Sequence, residues 1–156
     1  EISRADVLLL QGEVGVEAAR TAAVLAAAAS TKVVFNPAPF NEVVPAVLPL
    51  ADVVIVNRRE AEQLGDVQVP VLITTLGARG CEVKVGSDVT TIEAPKVEVA
   101  DPTGAGDAFV GAFSVAYVDT EDAVAAALIA VRAGAAAVRG VGAQPSMPTW
   151  EQIDNV

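Results

Sequence analysis

The chain has 156 residues, a length that suits one domain. Hydrophobic residues make up 53% of it, so a sizeable core can be buried. Twenty acidic against ten basic residues give a net charge of −10. This charge argues against binding to nucleic acid or to an anionic membrane surface, because both need clustered Lys and Arg.

The numbers of cysteine and histidine residues limit the catalytic mechanisms and metal sites that the chain can contain. Cys81 is the single cysteine and there is no histidine. This excludes a disulfide framework and any Ser-His-Asp or Cys-His mechanism within the chain, and it disfavours a structural zinc site. The lone cysteine predicts a reducing, cytoplasmic location. No apolar run reaches the ~18–20 residues of a membrane span.

Strands and helices are predicted to alternate along the first half of the chain. The opening residues lead directly into a core strand, which predicts that the chain starts within a fold. Short apolar runs predict strands at 7–10, 32–35, 53–56 and 69–74. Helices are predicted at 16–29, with Val24 and Leu25 on the apolar face, from Asn41 to about 48, and at 58–64.

The second half begins with a different pattern. Alternating residues predict a hairpin of strands 81–85 and 89–92, and a β-prone run covers 94–99. Two helices rich in Ala and Gly are predicted at 105–118 and 121–138, with Thr120 as N-cap of the second, and Thr149 is predicted to cap a last short helix. The predicted fold is α/β: a parallel sheet sandwiched by helices, with a small antiparallel hairpin at one edge, forming a single domain over residues 1–156.

The strongest functional signal is residues 101–107 (DPTGAGD), which lie between the β-prone run and a helix start. A strand, a glycine turn and a helix start point backbone N–H groups at an anion. Gly104, Ala105 and Gly106 have little or no side chain, so their N–H groups can approach phosphate oxygens. Asp107 is placed to accept the proton of an attacking hydroxyl, as phosphoryl transfer requires. The alternative is an ordinary acidic residue at a helix N-terminus.

Three other segments follow predicted strands or helices where a ligand could bind. Asn57 and Glu60 could orient Mg²⁺-bound waters, although an N-terminal capping box explains the pair better. Residues 75–80 could contact a nucleotide, or form a plain turn. Residues 140–146 offer carbonyls for a cation, or form a helix C-cap and loop.

Residues 101–109 (DPTGAGDAF) closely resemble the specific C-terminal signature of the ribokinase-like (PfkB) family of carbohydrate kinases. Residues 36–39 (NPAP), 57–62 (NRREAE) and 142–146 (GAQPS) are similar, more narrowly, to the ribokinase branch of that family. The resemblance covers nearly the whole chain.

The resemblance implies ATP-dependent phosphorylation of a sugar primary hydroxyl, with D-ribose converted to ribose 5-phosphate. Asp107 would be the base, and Gly104, Ala105 and Gly106 would form the anion hole. The implied ATP contacts are Asn57, Glu60, Thr75, Gly77, Gly80 and Gly106. Of these, Asn57 and Glu60 would also organise Mg²⁺. Small residues of segment 130–134 would lie near the adenine. Glu13 and Asp107 would both contact the sugar. The implied residues of an activating K⁺ site are Asp101, Thr103, Ala137, Gly140, Gly142 and Ser146.

The sequence also departs from the family pattern. It is shorter between Glu62 and Val71, which predicts one helix fewer. The family's N-terminal portion, with its lid, a Gly-Gly motif and most sugar contacts, has no counterpart in these residues. We therefore expect the chain to be the C-terminal catalytic portion of a kinase, inactive alone, whose full-length parent could be a homodimer.

Two alternatives stay open for the function. One is another kinase of the same family, such as a fructokinase or a nucleoside kinase. The other is a non-catalytic nucleotide-binding fragment, against which the presence of Asp107 argues. In either case the expected partners are small molecules, ATP and a sugar.

Overall fold

A computed structural model describes all 156 residues. Six strands are present: β1 (Val7–Gln11), β2 (Lys32–Asn36), β3 (Val53–Asn57), β4 (Val71–Thr75), β5 (Cys81–Val85) and β6 (Asp88–Ile92). The α-helices are α1 (Val16–Ala28), α2 (Val44–Val47), α3 (Arg58–Leu64), α4 (Ala105–Thr120), α5 (Ala123–Ala137) and α6 (Trp150–Asp154). Neither these helices nor the short 3₁₀ turns are long and apolar enough to cross a membrane.

The strands form one sheet in the order β1-β2-β3-β4-β5-β6. The first four are parallel, with Leu9 opposite Val34 and Ile55 opposite Ile73. The hairpin of β5 and β6 adds antiparallel pairing at one edge. The prediction of a mostly parallel α/β sheet with an antiparallel hairpin is therefore confirmed.

Contacts divide the chain into two compact units. The first contains Glu1–Thr75 and Lys84–Val89, and the second contains Leu76–Val83 and Thr90–Val156. The expectation of a single domain stays a prediction.

The first unit is built around strands that are buried on both faces. Residues 33–35 of β2 and 53–56 of β3 are all at most 1% exposed, as expected for central strands of a parallel sheet. In the second unit, Phe113 of α4 is fully buried and stacks on Tyr117, with a distance of 5.4 Å between ring centroids. Alanines of α5 complete this core, which lets the two helices pack closely.

Cys81 is a free, buried thiol at the start of β5. Burial, and then the nearby Glu82 carboxylate, raise the pKa of Cys81 to about 12. The thiol therefore stays protonated at neutral pH, and Cys81 acts as a buried packing residue.

The predicted apolar face of α1 is wrong. Val24 and Leu25 are 44% and 47% exposed, whereas Ala19, Ala23 and Ala26 are fully buried. These alanines recur at intervals of three and four residues, so they form one face of the helix. The small side chains bring α1 close to its neighbours, and the larger ones point outward.

The β-prone run at 94–99 forms no strand of the sheet. Pro95 has no N–H to donate to a sheet ladder, so the sequence there cannot pair along its length. The segment instead ends in two hydrogen bonds, because the amides of Ala100 and Asp101 both donate to the Val138 carbonyl, at 2.8 and 3.2 Å. The glycine turn at 101–107 thus follows a segment whose last residues are hydrogen-bonded to Val138, the C-cap of α5.

Some helix boundaries differ from the predicted ones near prolines and N-cap residues. α2 is only four residues long, and a 3₁₀ turn containing Pro49 follows it. Asp122 rather than Thr120 caps α5, and its carboxylate accepts hydrogen bonds from the amides of Val124 and Ala125. Thr120 is the last residue of α4, and its hydroxyl donates to the Ala116 carbonyl. The predicted cap at Thr149 is confirmed.

The connection between α3 and β4 contains no helix. β4 begins at Val71, two residues after the predicted start, and residues 65–70 form a short irregular link. This agrees with the expectation that a helix is missing at this place.

Candidate active site

Polar side chains end the four parallel strands, and one of them, Gln11, had no role in the sequence-based site. Gln11 lies opposite Asn36, and Asn57 lies opposite Thr75. The Asn36 side-chain amide donates to the Ile55 carbonyl at 2.8 Å and accepts a longer bond of 3.4 Å from Gln11. Gln11 and Asn36 were recognisable as the first polar residues after buried strands, the place where ligands bind in such sheets.

Asn57 and Glu60 form a capping box at the start of α3. The Asn57 Oδ1 atom accepts from the Glu60 amide at 3.0 Å, and the Glu60 Oε2 atom accepts from the Asn57 amide at 2.8 Å. The alternative interpretation of this pair, a helix cap, is therefore what the structure shows. A carboxylate has about four lone-pair sites, so the cap leaves chemical capacity for a hydrated cation.

Glu13 is exposed just after β1, and its position is fixed through Gly12. The Gly12 amide donates to the Ala38 carbonyl at 3.1 Å, and the Asn41 side chain donates to the Gly12 carbonyl at 2.7 Å. A Cβ atom at Gly12 would lie 2.1 Å from the Pro39 carbonyl oxygen. The NPAP segment thus packs directly against the residue that precedes Glu13.

Thr75, Gly77 and Gly80 do not share one environment. Thr75 ends β4, and its hydroxyl donates to the Val56 carbonyl at 3.3 Å. Gly77 is exposed in a 3₁₀ turn, whereas Gly80 is buried. The Leu76 amide donates to the Gly80 carbonyl at 2.7 Å, which closes the turn. Residues 75–80 therefore form a tight turn with Gly77 as its accessible glycine, and the nucleotide contact of Thr75, Gly77 and Gly80 stays a prediction.

The glycine turn opens α4, a helix of 16 residues. Gly104 is the N-cap with φ of +81°, a left-handed conformation that favours glycine. The Ala108 amide donates to the Gly104 carbonyl at 2.9 Å, and Asp107 lies exposed in the first turn. The first amides of a helix have no carbonyl partners within it, so this end of α4 attracts anions.

Asp101 joins the glycine turn to the loop at 140–146. Its Oδ1 atom accepts from the Thr103 amide and its Oδ2 atom from the Gly142 amide, each at 2.9 Å. A hydrogen bond from the Thr103 hydroxyl, and then those from the Thr103 and Gly142 amides, lower the pKa of Asp101. Asp101 is therefore an ionised acceptor that joins residues 41 positions apart.

The loop at 140–146 presents oxygen atoms. The Ser146 hydroxyl donates to the carbonyls of Gly142 and Ala143, and the Gly140 amide donates to the Ala137 carbonyl at 3.2 Å. A Cβ atom at Gly140 would lie 2.8 Å from the Ser146 Cβ atom, so the loop needs glycine there. No group of three or more His, Cys, Asp or Glu side chains could hold a metal ion. A cation bound here would therefore have mainly carbonyl oxygens as ligands, a donor set that suits hard cations.

Gly134 of α5 lies against the start of α4. A Cβ atom at this position would lie 3.3 Å from the Ala105 carbonyl oxygen and 3.9 Å from the Phe109 Cβ atom. In segment 130–134, Ala130 and Ala133 are fully buried, and only Arg132 and Gly134 are partly exposed. Gly134 therefore lets the start of α4 pack closely against α5.

The lowered pKa of Asp101 predicts a pH response. A carboxyl whose pKa is lower in the folded protein stabilises the fold above its ordinary value of about 3.9, and this is lost as pH falls through the folded value. We expect the Gly142 amide signal in ¹H–¹⁵N spectra to be constant from neutral pH to about 4 and to shift only below it. In Asp101→Asn the low-pH shift should disappear, whereas Asp119→Asn should retain it. A midpoint above about 4 in the native chain would contradict the assignment.

The model of the pfkB family of carbohydrate kinases matches residues 1–150. The chain belongs to this family. The resemblance carried by residues 101–109 is thereby confirmed, and the pfkB assignment extends over both compact units.

Individual pfkB proteins are similar along the whole chain. Ribokinase from Staphylococcus aureus is 31% identical over 174 aligned residues, which cover 99% of this chain and 57% of that protein. The crystal structure of a ribokinase from Thermotoga maritima has a TM-score of 0.89 at 27% identity, over 99% of this chain and 57% of that one. A nucleoside kinase from Burkholderia thailandensis, solved in complex with inosine, has a TM-score of 0.84 at 25% identity, over 99% of this chain and 57% of its own.

The chain thus spans little more than half the length of the pfkB proteins that it matches. The alignment to the Staphylococcus aureus protein is also longer than the chain itself, 174 positions against 156 residues. That relative therefore has residues inside the matched region that this chain lacks, as a shortened link between α3 and β4 would require.

Proposed function

We propose that the native protein carrying this chain transfers a phosphoryl group from ATP to the primary hydroxyl of a ribose unit. One observation carries the proposal: the glycine turn at Gly104 opens α4, and Asp107 lies in the first turn of that helix. The family membership of the chain supports the same reaction class.

The residues of this turn supply the parts that phosphoryl transfer needs. The Asp107 carboxylate takes the proton of the hydroxyl as its oxygen attacks the γ-phosphorus, and ADP leaves with the electrons of the broken P–O bond. The amides of Ala105 and Gly106 stabilise the charge on the transferred phosphoryl oxygens. A Cβ atom at Gly106 would meet no atom within 4 Å, so packing does not explain glycine there, whereas close approach of a phosphate would.

Two cations belong to the proposal. Mg²⁺, when bound, neutralises phosphate charge, and Glu60 would act on its water ligands while Asn57 contacts phosphate. K⁺ would be held where Asp101 and Thr103 meet the loop containing Gly142 and Ser146, with Ala137 and Gly140 contributing carbonyls. Its positive charge would lie beside the turn and favour the anion there.

What the relatives have in common supports the proposed substrate class. One is named a ribokinase and another is a nucleoside kinase that binds inosine. Free ribose and a ribonucleoside both present a ribose ring with a primary hydroxyl. We place free D-ribose first because residues 142–146 resemble the ribokinase branch, with Glu13 as its contact. A nucleoside is the second candidate.

The test is a substrate panel on the native protein with ATP, Mg²⁺ and K⁺, read by coupled ADP release. D-Ribose should give the highest kcat/KM, above D-fructose and inosine. A higher value with inosine would overturn ribose in favour of a nucleoside. No release with any sugar or nucleoside, while ATP still binds, would leave the non-catalytic alternative.

The 156-residue chain alone should turn over far below the ~1–100 s⁻¹ typical of kinases. Its matched relatives are nearly twice as long, so sugar contacts and a lid are expected outside these residues. A turnover in that range would overturn this expectation. We place the reaction in the cytoplasm, since Cys81 is a free thiol, and pairing of two full-length copies stays a prediction.

A further inference from the structure

The one methionine of the chain lies against the glycine turn. A Cβ atom built at Gly104 would come within 2.9 Å of the Met147 Cε atom, and within 3.1 Å of the Ala143 Cα atom. The Met147 methyl group therefore packs on the N-cap of α4, in the space that a side chain at position 104 would need. Neither the proposed reaction nor the proposed cation site uses Met147.

The backbone around Met147 holds it in this place. Its amide donates to the Gln144 carbonyl at 3.3 Å, as the 3₁₀ turn at 144–146 ends. The preceding residue, Ser146, is bound to the carbonyls of Gly142 and Ala143, and Pro148 follows. Met147 is thus fixed through its backbone, and the residue as a whole is 37% exposed to solvent.

We propose that Met147 is a positioning residue for the turn at Gly104, and that its oxidation by a hydroperoxide loosens that turn. The inference rests on the proposed function only for its effect on phosphoryl transfer. The contact and its disruption concern the turn itself, whatever binds there.

The chemistry is balanced with the hydroperoxide as oxidant. A sulfur lone pair of Met147 attacks the outer oxygen, the O–O bond breaks, and methionine sulfoxide forms while the peroxide is reduced to water or an alcohol. The product has a polar, pyramidal S=O group where an apolar methyl thioether had packed. Cys81, the other sulfur of the chain, is buried with a raised pKa, so it is protected from the same reagent.

The test reads the turn directly in the 156-residue chain. The probe is hydrogen exchange of the Ala108 amide, whose bond to the Gly104 carbonyl closes the first turn of α4. We expect about tenfold faster exchange in Met147→Ala, with shifted Gly104 and Gly106 amide signals, and rescue in Met147→Leu because leucine restores apolar volume. Val115→Ala is the matched control, an exposed apolar residue on the same helix.

Peroxide treatment gives the second arm. Hydrogen peroxide should add one oxygen to the native chain and shift the same amide signals, and it should leave Met147→Leu unchanged. Unaltered Ala108 exchange in Met147→Ala, or equal peroxide effects in the native chain and Met147→Leu, would overturn the proposal. Because no ligand is present, a failed ADP-release assay would not change this outcome.

Discussion

Replacing Asp107 with Asn should lower kcat of the native protein by about 10²–10⁴-fold, because the amide cannot take the proton of the attacking hydroxyl. Asp107 lies exposed in the first turn of α4, so the exchange should alter neither the core nor the fold. The measurement is coupled ADP release with saturating ATP and D-ribose. ATP binding should change little, since the anion-binding amides of the turn remain.

The matched control is Asp119→Asn. Asp119 lies on the same helix, is also exposed, and carries the same charge. It should retain native turnover, which separates the role of Asp107 from a general loss of negative charge on α4. Intact turnover in Asp107→Asn would remove the residue from the catalytic role.

The Gly80→Ala exchange should cost about 4 kcal/mol of folding free energy, at the severe end for single substitutions. Gly80 has φ of +95°, and a Cβ atom would lie 1.9 Å from the Ile92 carbonyl oxygen and 2.8 Å from the Ala94 amide nitrogen. Two backbone segments would have to separate to admit a methyl group. Urea unfolding of the 156-residue chain, followed by circular dichroism, measures the loss.

Gly86→Ala provides the comparison, because it changes conformation without creating a clash. Gly86 has φ of +60° but no atom within 4 Å of a Cβ position. Its substitution should cost only the left-handed backbone penalty, about 1–2 kcal/mol. Equal losses in the two variants would show that the approach of residues 92–94 to Gly80 does not determine stability.

The sheet could be predicted from sequence because burial on both faces produces an unmistakable pattern. The continuous apolar runs of β2 and β3 match strands whose residues are almost fully buried. The hairpin was predicted equally well from alternation at 81–85. Helix α3 was predicted with its exact bounds, since its capping box occurs in the local sequence.

Other features depend on tertiary contacts that local sequence does not contain. In α1, hydrophobicity alone favoured Val24 and Leu25 for the core. The alanines are buried instead, because their small side chains let the helix pack close to its neighbours. Residues 94–99 have strand propensity, yet they lie outside the sheet. Pro95 has no N–H to donate, and the residues that follow, Ala100 and Asp101, donate to the Val138 carbonyl. Thr and Asp are both common N-cap residues, so the sequence allowed Thr120 or Asp122 to cap α5. In the structure the turn between the helices places Asp122 at the N-cap.

In the candidate site, too, local features could be predicted from the sequence and tertiary contacts could not. The sequence identified the turn at 101–107 and its two acids, because glycine spacing and a helix start are local properties. It also associated Asp101 with the loop at 140–146 through the family resemblance, and the structure adds the contact, the hydrogen bond from the Gly142 amide. The contact between Met147 and Gly104 could not be predicted from the sequence, because no motif contains both residues.

The bond between Asp101 and Gly142 closes a loop that contains all of α4 and α5. Bringing together two points 41 residues apart has an entropic cost, and the packing of the two helices offsets it. The turn at Gly104 therefore depends on a helical hairpin fastened at its base. Thermal opening of that hairpin would release the glycine turn, Asp107 and the loop at 140–146 together, so the proposed binding surface is expected to be lost as one cooperative unit.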